Sequence, residues 1–305
     1  MAENSKISWT DDTFNPWIGC TKVSPACDGC YAEALMGMPG RFGPARVQWG
    51  APGQGEGTRD RTAPSTWAKV RKWNREQRAA LASDPATPAR FVFCASLADV
   101  FDNAVPTEWR RDLFALIREC ESLTFLLLTK RPSMIVKLFT ATLPPAYGPD
   151  DEEGEWYLPD MWPRNAAIGF TAVTQAEMDR DSRHALAAFA ALRPAFLFWS
   201  GEPLLESIMV AAGLLALGDR FWAITGGETD QGKHKARDTP VGAFQAVRDQ
   251  CAAARVPYQH KQNKGGATRD LDGRYHDDRP VLKGPTPTPE TAGGAETPSG
   301  PAEVG

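Results

Sequence analysis

Six short, almost uninterrupted apolar runs limit the fold of this chain more than any other feature: RFVFCAS from Arg90, TFLLLT from Thr124, AAIGFTA from Ala166, AFLFWS from Ala195, RFWAIT from Arg220 and VPYQHK from Val256. A strand with one wet face alternates polar and apolar residues. Runs without that alternation suit strands covered on both faces, as in a parallel sheet sheathed by helices. Helix signals fill the gaps. Thr66 to Ser83 puts Trp67, Val70 and Trp73 on one face, and Thr107 precedes Trp109, Leu113, Leu116 and Ile117 at helical spacing. Thr174 and Glu177 form a capping box before Ala185, Leu186 and Phe189. Pro132 fits a first helical turn, and Thr239-Pro240 opens a helix with Phe244, Val247 and Cys251 on its buried stripe. Strand then helix, repeated about six times, predicts an α/β chain folded as a closed or partly closed barrel.

Gly and Pro punctuation divides the rest. We expect a single domain over residues 1–283, with irregular insertions at about 37–64, an excursion over the core, and 143–165, rich in proline and acidic residues. The tail from Gly284 has almost nothing to bury and is expected to be disordered. The opening MAENSKISWTDD lacks the basic start and apolar stretch of a secretory signal, so a cytoplasmic location is expected. The longest apolar run, Ile208 to Leu217, is about half of the ~20 residues needed to cross a bilayer, which excludes a membrane helix. Thirty-four Lys and Arg against thirty-eight Asp and Glu give a net charge of −4, so a generally basic nucleic-acid coat is excluded. One local exception is the basic helix from Lys69 to Arg78, where Trp67 and Trp73 offer stacking to nucleic acid or simply pack beneath a solvated face.

In such barrels the loops after the parallel strands converge on one mouth. Here those ends are polar: Ser96 and Asp99, then Lys130 and Arg131, then Thr171, then Glu202, then Gly226, Gly227 and Glu228, then His260 and Lys261. Turns favour several of these residue types anyway. Carboxylates and cations on one rim nonetheless cost desolvation unless a ligand or mutual pairing uses them. Lys130, Arg131 and Lys261 are candidates to hold a cofactor carboxylate or an anionic substrate, or else to pair with Glu202 or Glu228. His260 is the histidine placed nearest the mouth.

Cys20, Cys27 and Cys30 form a C-x6-C-x2-C cluster in a short polar loop, and six cysteines in all are too few for a disulfide scaffold. Three thiolates hold three corners of a [4Fe-4S] cube and leave one iron open to chelate S-adenosylmethionine (SAM). Zinc is the alternative, closed by a fourth ligand that the fold would bring from Cys94, Cys120, Cys251 or a histidine. By pattern alone those three cysteines are small core residues.

The opening KISWTDDTFNPWIGCTKVSPACDGCYAE resembles the start of the phage gene-product thirty-seven/sixty-eight family, radical-SAM-like proteins of phages and bacteria. The blocks SLADVF from Ser96, LTKRP from Leu128, EPLL from Glu202, GGE from Gly226, VPY from Val256 with Lys261-Gln262, and LDGR from Leu271 are similar to it too. The resemblance implies a partial (β/α) TIM-like barrel of the radical SAM type, with about six to seven parallel strands, and an enzyme that makes a 5′-deoxyadenosyl radical; it implies no substrate, for which a nucleotide, a nucleic acid or a peptide are the candidates. It also implies an external electron donor and a partner protein named for the three-cysteine motif. A non-catalytic zinc- or cluster-stabilised binding module of a phage or host defence system is the competing expectation. Cofactor contacts would come from Tyr31, Ser96, Asp99, Glu202, Gly226, Gly227 and Glu228. The chain departs from the wider radical SAM pattern in its longer first spacer, in Gly29 where an aromatic residue is usual, and in a Gly-Gly-Glu that comes late instead of early.

Overall fold

The computed structural model describes residues 3–38, 46–144, 158–266 and 268–282. The chain opens with β1 (Asp12–Phe14) and β2 (Trp17–Ile18), then α1 (Tyr31–Met36), β3 (Trp49–Ala51), β4 (Gly55–Gly57), β5 (Asp60–Arg61) and the long α2 (Pro64–Ser83). The repeating part follows: β6 (Arg90–Cys94), α3 (Thr107–Glu119), β7 (Leu123–Thr129), α4 (Ile135–Thr140), α5 (Leu158–Met161), β8 (Ala166–Thr171) and α6 (Gln175–Leu192). It ends with β9 (Leu197–Gly201), α7 (Ala212–Leu215), β10 (Phe221–Gly226), α8 (Ala243–Ala254) and β11 (Tyr258–Gln262).

All six apolar runs become strands of one parallel sheet, in the order β1-β6-β7-β8-β9-β10-β11. The sheet curls into a half barrel. Successive side chains on a strand point to opposite faces, so each run splits into two layers. Phe91 and Phe93, Leu126, Ala167, Phe198, and Trp222 and Ile224 fill the inside together with Trp9 and Phe196. Val92, Cys94, Phe125, Leu127, Ile168, Trp199 and Ala223 point outward into the larger core beneath the helices. The open side between β1 and β11 is bridged by the chain's own ends: Gln259 Nε2 donates to Ser8 Oγ at 3.1 Å and Arg279 pairs with Asp11 at 3.1 Å.

Local signals explain most helix starts. Thr174 caps α6, its Oγ1 accepting from the Glu177 amide at 3.3 Å, while Glu177 Oε2 accepts from the Val173 amide at 2.9 Å. The helix expected from Thr239-Pro240 begins later, at Ala243 after Gly242 at φ 79°, because Thr239 Oγ1 is bonded to the Leu204 carbonyl.

Two expectations are corrected. The excursion at 37–64 is not irregular where it is described: β3 and β4 pair antiparallel, and β5 pairs with β2. Two of its glycines serve close packing, since a Cβ on Gly50 would lie 2.2 Å from the Glu56 carbonyl oxygen and one on Gly57 2.3 Å from that of Gln48. Residues 39–45 of it, residues 145–157 of the second insertion and the tail from Gly284 lie outside the described residues. Nor does α2 offer a stacking face, because Trp67 and Trp73 are buried against the core, and Arg71, Lys72 and Arg78 are paired with Glu119, Glu76 and Glu121. Among the described residues no helix is long and apolar enough to cross a membrane.

The packed interior makes one strong prediction. Gly169 lies on the inner face of β8 directly under the Phe198 ring, and a Cβ there would come within 2.1 Å of Phe198 Cζ. Neither strand can shift, each being bonded to neighbours on both sides. Gly169→Ala should therefore destabilise the chain by at least about 1–3 kcal/mol. Chemical denaturation would show this as a lower midpoint at unchanged slope; an unaltered midpoint would mean the interior is loosely filled.

Candidate functional site

One cavity opens at the carboxyl ends of the strands, and the thiol-loop and strand-end residues singled out as site candidates from the sequence line it, except Gly226 and His260. His260 is wholly buried, its ring facing Thr225, Asn263 and Phe244 instead of the mouth, and burial lowers its pKa. The sheet therefore gathers strand ends that are far apart in sequence, as the barrel reading requires.

The thiol loop grows out of β2. Gly19, at φ 100°, lets the chain pass so close to the hairpin that a Cβ would sit 2.3 Å from the Thr58 carbonyl oxygen. Ser24 caps a short 3₁₀ turn at Pro25–Cys27 by accepting from the Ala26 amide at 3.1 Å, and Cys30 occupies the N-cap of α1. Burial pushes the Cys20 thiol up to about 12, with Asp99 adding to the rise and Arg131 opposing it. The Cys30 thiol is also raised by burial, against which the amides of Glu33 and Ala32 and the Lys130 ammonium pull.

The charged rim sorts into pairs. Asp99 accepts from Thr129 Oγ1 at 2.7 Å, from the amides of Phe101 and Lys130 at 2.9 and 3.1 Å, and from Arg131 Nη1 at 2.9 Å. Arg131 continues to the thiol loop, with Nη2 donating to the Thr21 carbonyl at 2.7 Å and Nη1 lying 3.7 Å from Cys20 Sγ. Asp99 and Arg131 thus brace the strand ends and Cys20, and Arg131 pairs with neither of the carboxylates considered from sequence. Lys261 does take one of them, Glu202, at 3.0 Å. The other Glu202 oxygen accepts from the Trp9 indole and from Ser200 Oγ, both at 3.2 Å. Lys130 differs from its neighbours: among the described residues its ammonium has no carboxylate partner. Burial works against that charge, but Cys27, Cys30 and Asp99 outweigh it and raise the pKa above the ordinary lysine value.

Tyr31 presents a ring that is 42% exposed, fixed by a bond from its hydroxyl to the Ser96 carbonyl. Ser96 Oγ meets the Asn15 side chain, which donates to it at 3.0 Å. Glu228 is buried, and a bidentate contact from Arg237 holds its carboxylate well down, at about 2, against the opposing effect of burial. Sequence reasoning missed Arg237, His234, Trp9 and Asn15. The first two sit in a loop without periodicity; the last two precede the cysteines in a stretch read only as an opening motif.

As a donor set the cavity is rich in sulfur. Cys20, Cys27 and Cys30 all line it, whereas Cys94, Cys120 and Cys251 are packed in the outer core, as their pattern suggested. Among the described residues no group of three or more Cys, His, Asp or Glu side chains is drawn together as a metal cage.

The model of a family described as protein of unknown function (DUF5131) matches residues 4–280, and the chain belongs to that family. No curated protein and no solved structure matches the chain.

Proposed function

We propose that this member of the DUF5131 family is a radical SAM enzyme in which Cys20, Cys27 and Cys30 hold a [4Fe-4S] cluster at the barrel mouth, with the SAM cofactor beside it. The observation that carries the reading is the convergence of the three thiols with the strand-end polar residues on one cavity at the carboxyl ends of a parallel half barrel. Cys20, Cys27 and Cys30 would hold the cluster, which, once reduced by an external electron donor, would supply the electron for reductive cleavage of the cofactor's sulfonium.

The chain's own side chains divide the remaining work. Lys130, without a carboxylate partner among the described residues and lining the same cavity as the thiols, would offset negative charge or receive a carboxylate from a ligand. Tyr31 offers a partly exposed ring at the cavity, anchored by its hydroxyl, as a platform for a purine base. Glu202 is poised by Lys261, Trp9 and Ser200 to accept from an ammonium or from ribose hydroxyls. Phe93, Leu128 and Trp9 form an apolar wall that keeps water from a reactive intermediate. The substrate, the external electron donor and the three-cysteine-motif partner protein belong to this reading as expectations from the family resemblance.

Anaerobic reconstitution of the full chain should give a brown protein with about four irons, and reduction in the presence of SAM should release 5′-deoxyadenosine. A single tightly held zinc, without visible absorbance or SAM binding, would replace the proposal with that of a zinc-stabilised binding module.

A further inference from the structure

Gly226, Gly227 and Glu228 follow β10 as a Gly-Gly-Glu, and each is already committed to the protein. A Cβ on Gly226 would lie 2.7 Å from Glu202 Oε1, so this glycine makes room for the Glu202 side chain. Gly227 donates its amide to the Gln262 carbonyl at 2.8 Å, and a Cβ there would lie 2.4 Å from the Lys264 nitrogen. The Glu228 carboxylate receives the Arg237 amide at 2.8 Å, Nε at 2.9 Å and Nη2 at 2.7 Å, with His234 Nε2 at 3.2 Å. Arg237 thus fills three of the carboxylate's about four lone-pair sites, and the His234 ring stands 3.2 Å from Oε1, so a ligand ammonium would have to compete with the arginine for this group.

The same arginine reaches the thiol loop. Its Nη2 donates to the Pro25 carbonyl at 2.9 Å and its Nη1 to Asp28 Oδ2 at 3.1 Å. Between the two distal cysteines, Gly29 packs so tightly that a Cβ would lie 2.7 Å from Glu228 Oε1 and 2.6 Å from His234 Cδ2. A side chain at position 29 would push the loop off this support, which accounts for glycine there. Contacts that lead back to one buried carboxylate thus flank Cys27 on both sides and stop just before Cys30.

We infer that Glu228 and Arg237 form a clamp that fixes the Pro25–Gly29 turn and presents Cys27 and Cys30 to the cavity, and that this late Gly-Gly-Glu positions the thiols instead of binding a cofactor amine. The importance of the thiols rests on the function proposed above, but the clamp itself can be tested without any cluster.

In the reduced, metal-free full chain, Arg237→Ala should raise the rate of iodoacetamide alkylation at Cys27 and Cys30 by roughly tenfold, the loss of charge-assisted bonds loosening the turn. Peptide mass spectrometry would follow each site, and Cys94, Cys120 and Cys251 should stay protected, separating local opening from unfolding. Arg237→Lys should restore part of the protection. Unchanged rates at Cys27 and Cys30 in Arg237→Ala would overturn the clamp. So would a Glu228→Gln chain that keeps full iron and full thiol protection while losing SAM binding, since Glu228 would then be a cofactor ligand. Faster alkylation in Arg237→Ala, together with a wild-type chain that never takes up iron, would uphold the clamp and remove the cluster.

Discussion

Serine in place of Cys27 should give a chain that folds and carries almost no iron. The substitution changes one atom at a site that is 8% exposed, the last residue of a turn whose cap comes from Ser24 and not from the sulfur. Its cost to stability should be within about 1 kcal/mol, the usual range for a small change outside the main core. A thiol gives up its proton to a metal, whereas a serine hydroxyl stays protonated and is a poor ligand for iron. Reconstituted Cys27→Ser should therefore hold well under the about four irons expected of the wild type, and release of 5′-deoxyadenosine should fall to background. Cys120→Ser and Cys251→Ser should behave in the opposite way, since both thiols lie fully buried in the outer core. A hydroxyl there costs about 1–3 kcal/mol without touching iron content. Iron analysis paired with thermal unfolding separates the classes. A full cluster in Cys27→Ser would end the ligand assignment.

The largest loss of stability is expected from Arg59→Ala. Asp102 is completely buried, and its Oδ2 is paired with both Nε and Nη2 of Arg59, whose side chain is only 4% exposed. Arg59 also donates to Thr21 Oγ1 and to the Glu56 carbonyl, each at 2.8 Å, so it ties the β3–β4 hairpin to the start of the thiol loop. Removing it strands a carboxylate in the interior, which typically costs about 3–5 kcal/mol. For a chain of this size the melting temperature should fall by on the order of 10 °C. The double change Arg59→Ala with Asp102→Ala should recover about 1–3 kcal/mol of that loss, because it removes the stranded charge as well. If Arg59→Ala melts within about 1 kcal/mol of the wild type, the pair is not the brace described.

Why the sheet could be read from sequence and other parts could not follows from what each segment buries. RFVFC and TFLLL are apolar on both faces because helices cover one side and the barrel interior the other, and that leaves an unbroken signal. β1 escaped notice because it is three residues at an edge and contains Asp12, whose burial is made tolerable by Arg90 at 2.6 Å, a partner far away in sequence. The β3–β4 hairpin was hidden by glycines that look like flexibility, although Gly50 and Gly57 serve close backbone contact. At the mouth, strand ends announced which residues would meet, since polar side chains after buried runs have few other places to go. Who pairs with whom was not legible. Arg131 meets Asp99 from the neighbouring strand end, and Arg237 meets Glu228 through a loop whose course no pattern predicts.

The seam between β1 and β11 gives the chain's two ends a shared fate. Arg279 grips Asp11, Gln259 grips Ser8, and two residues away from Asp11 the indole of Trp9 touches Glu202 inside the mouth. The described chain is a hoop fastened by its own buckle: trimming either end strips the other of its partner, and slack introduced there is passed within a few residues to a carboxylate at the rim.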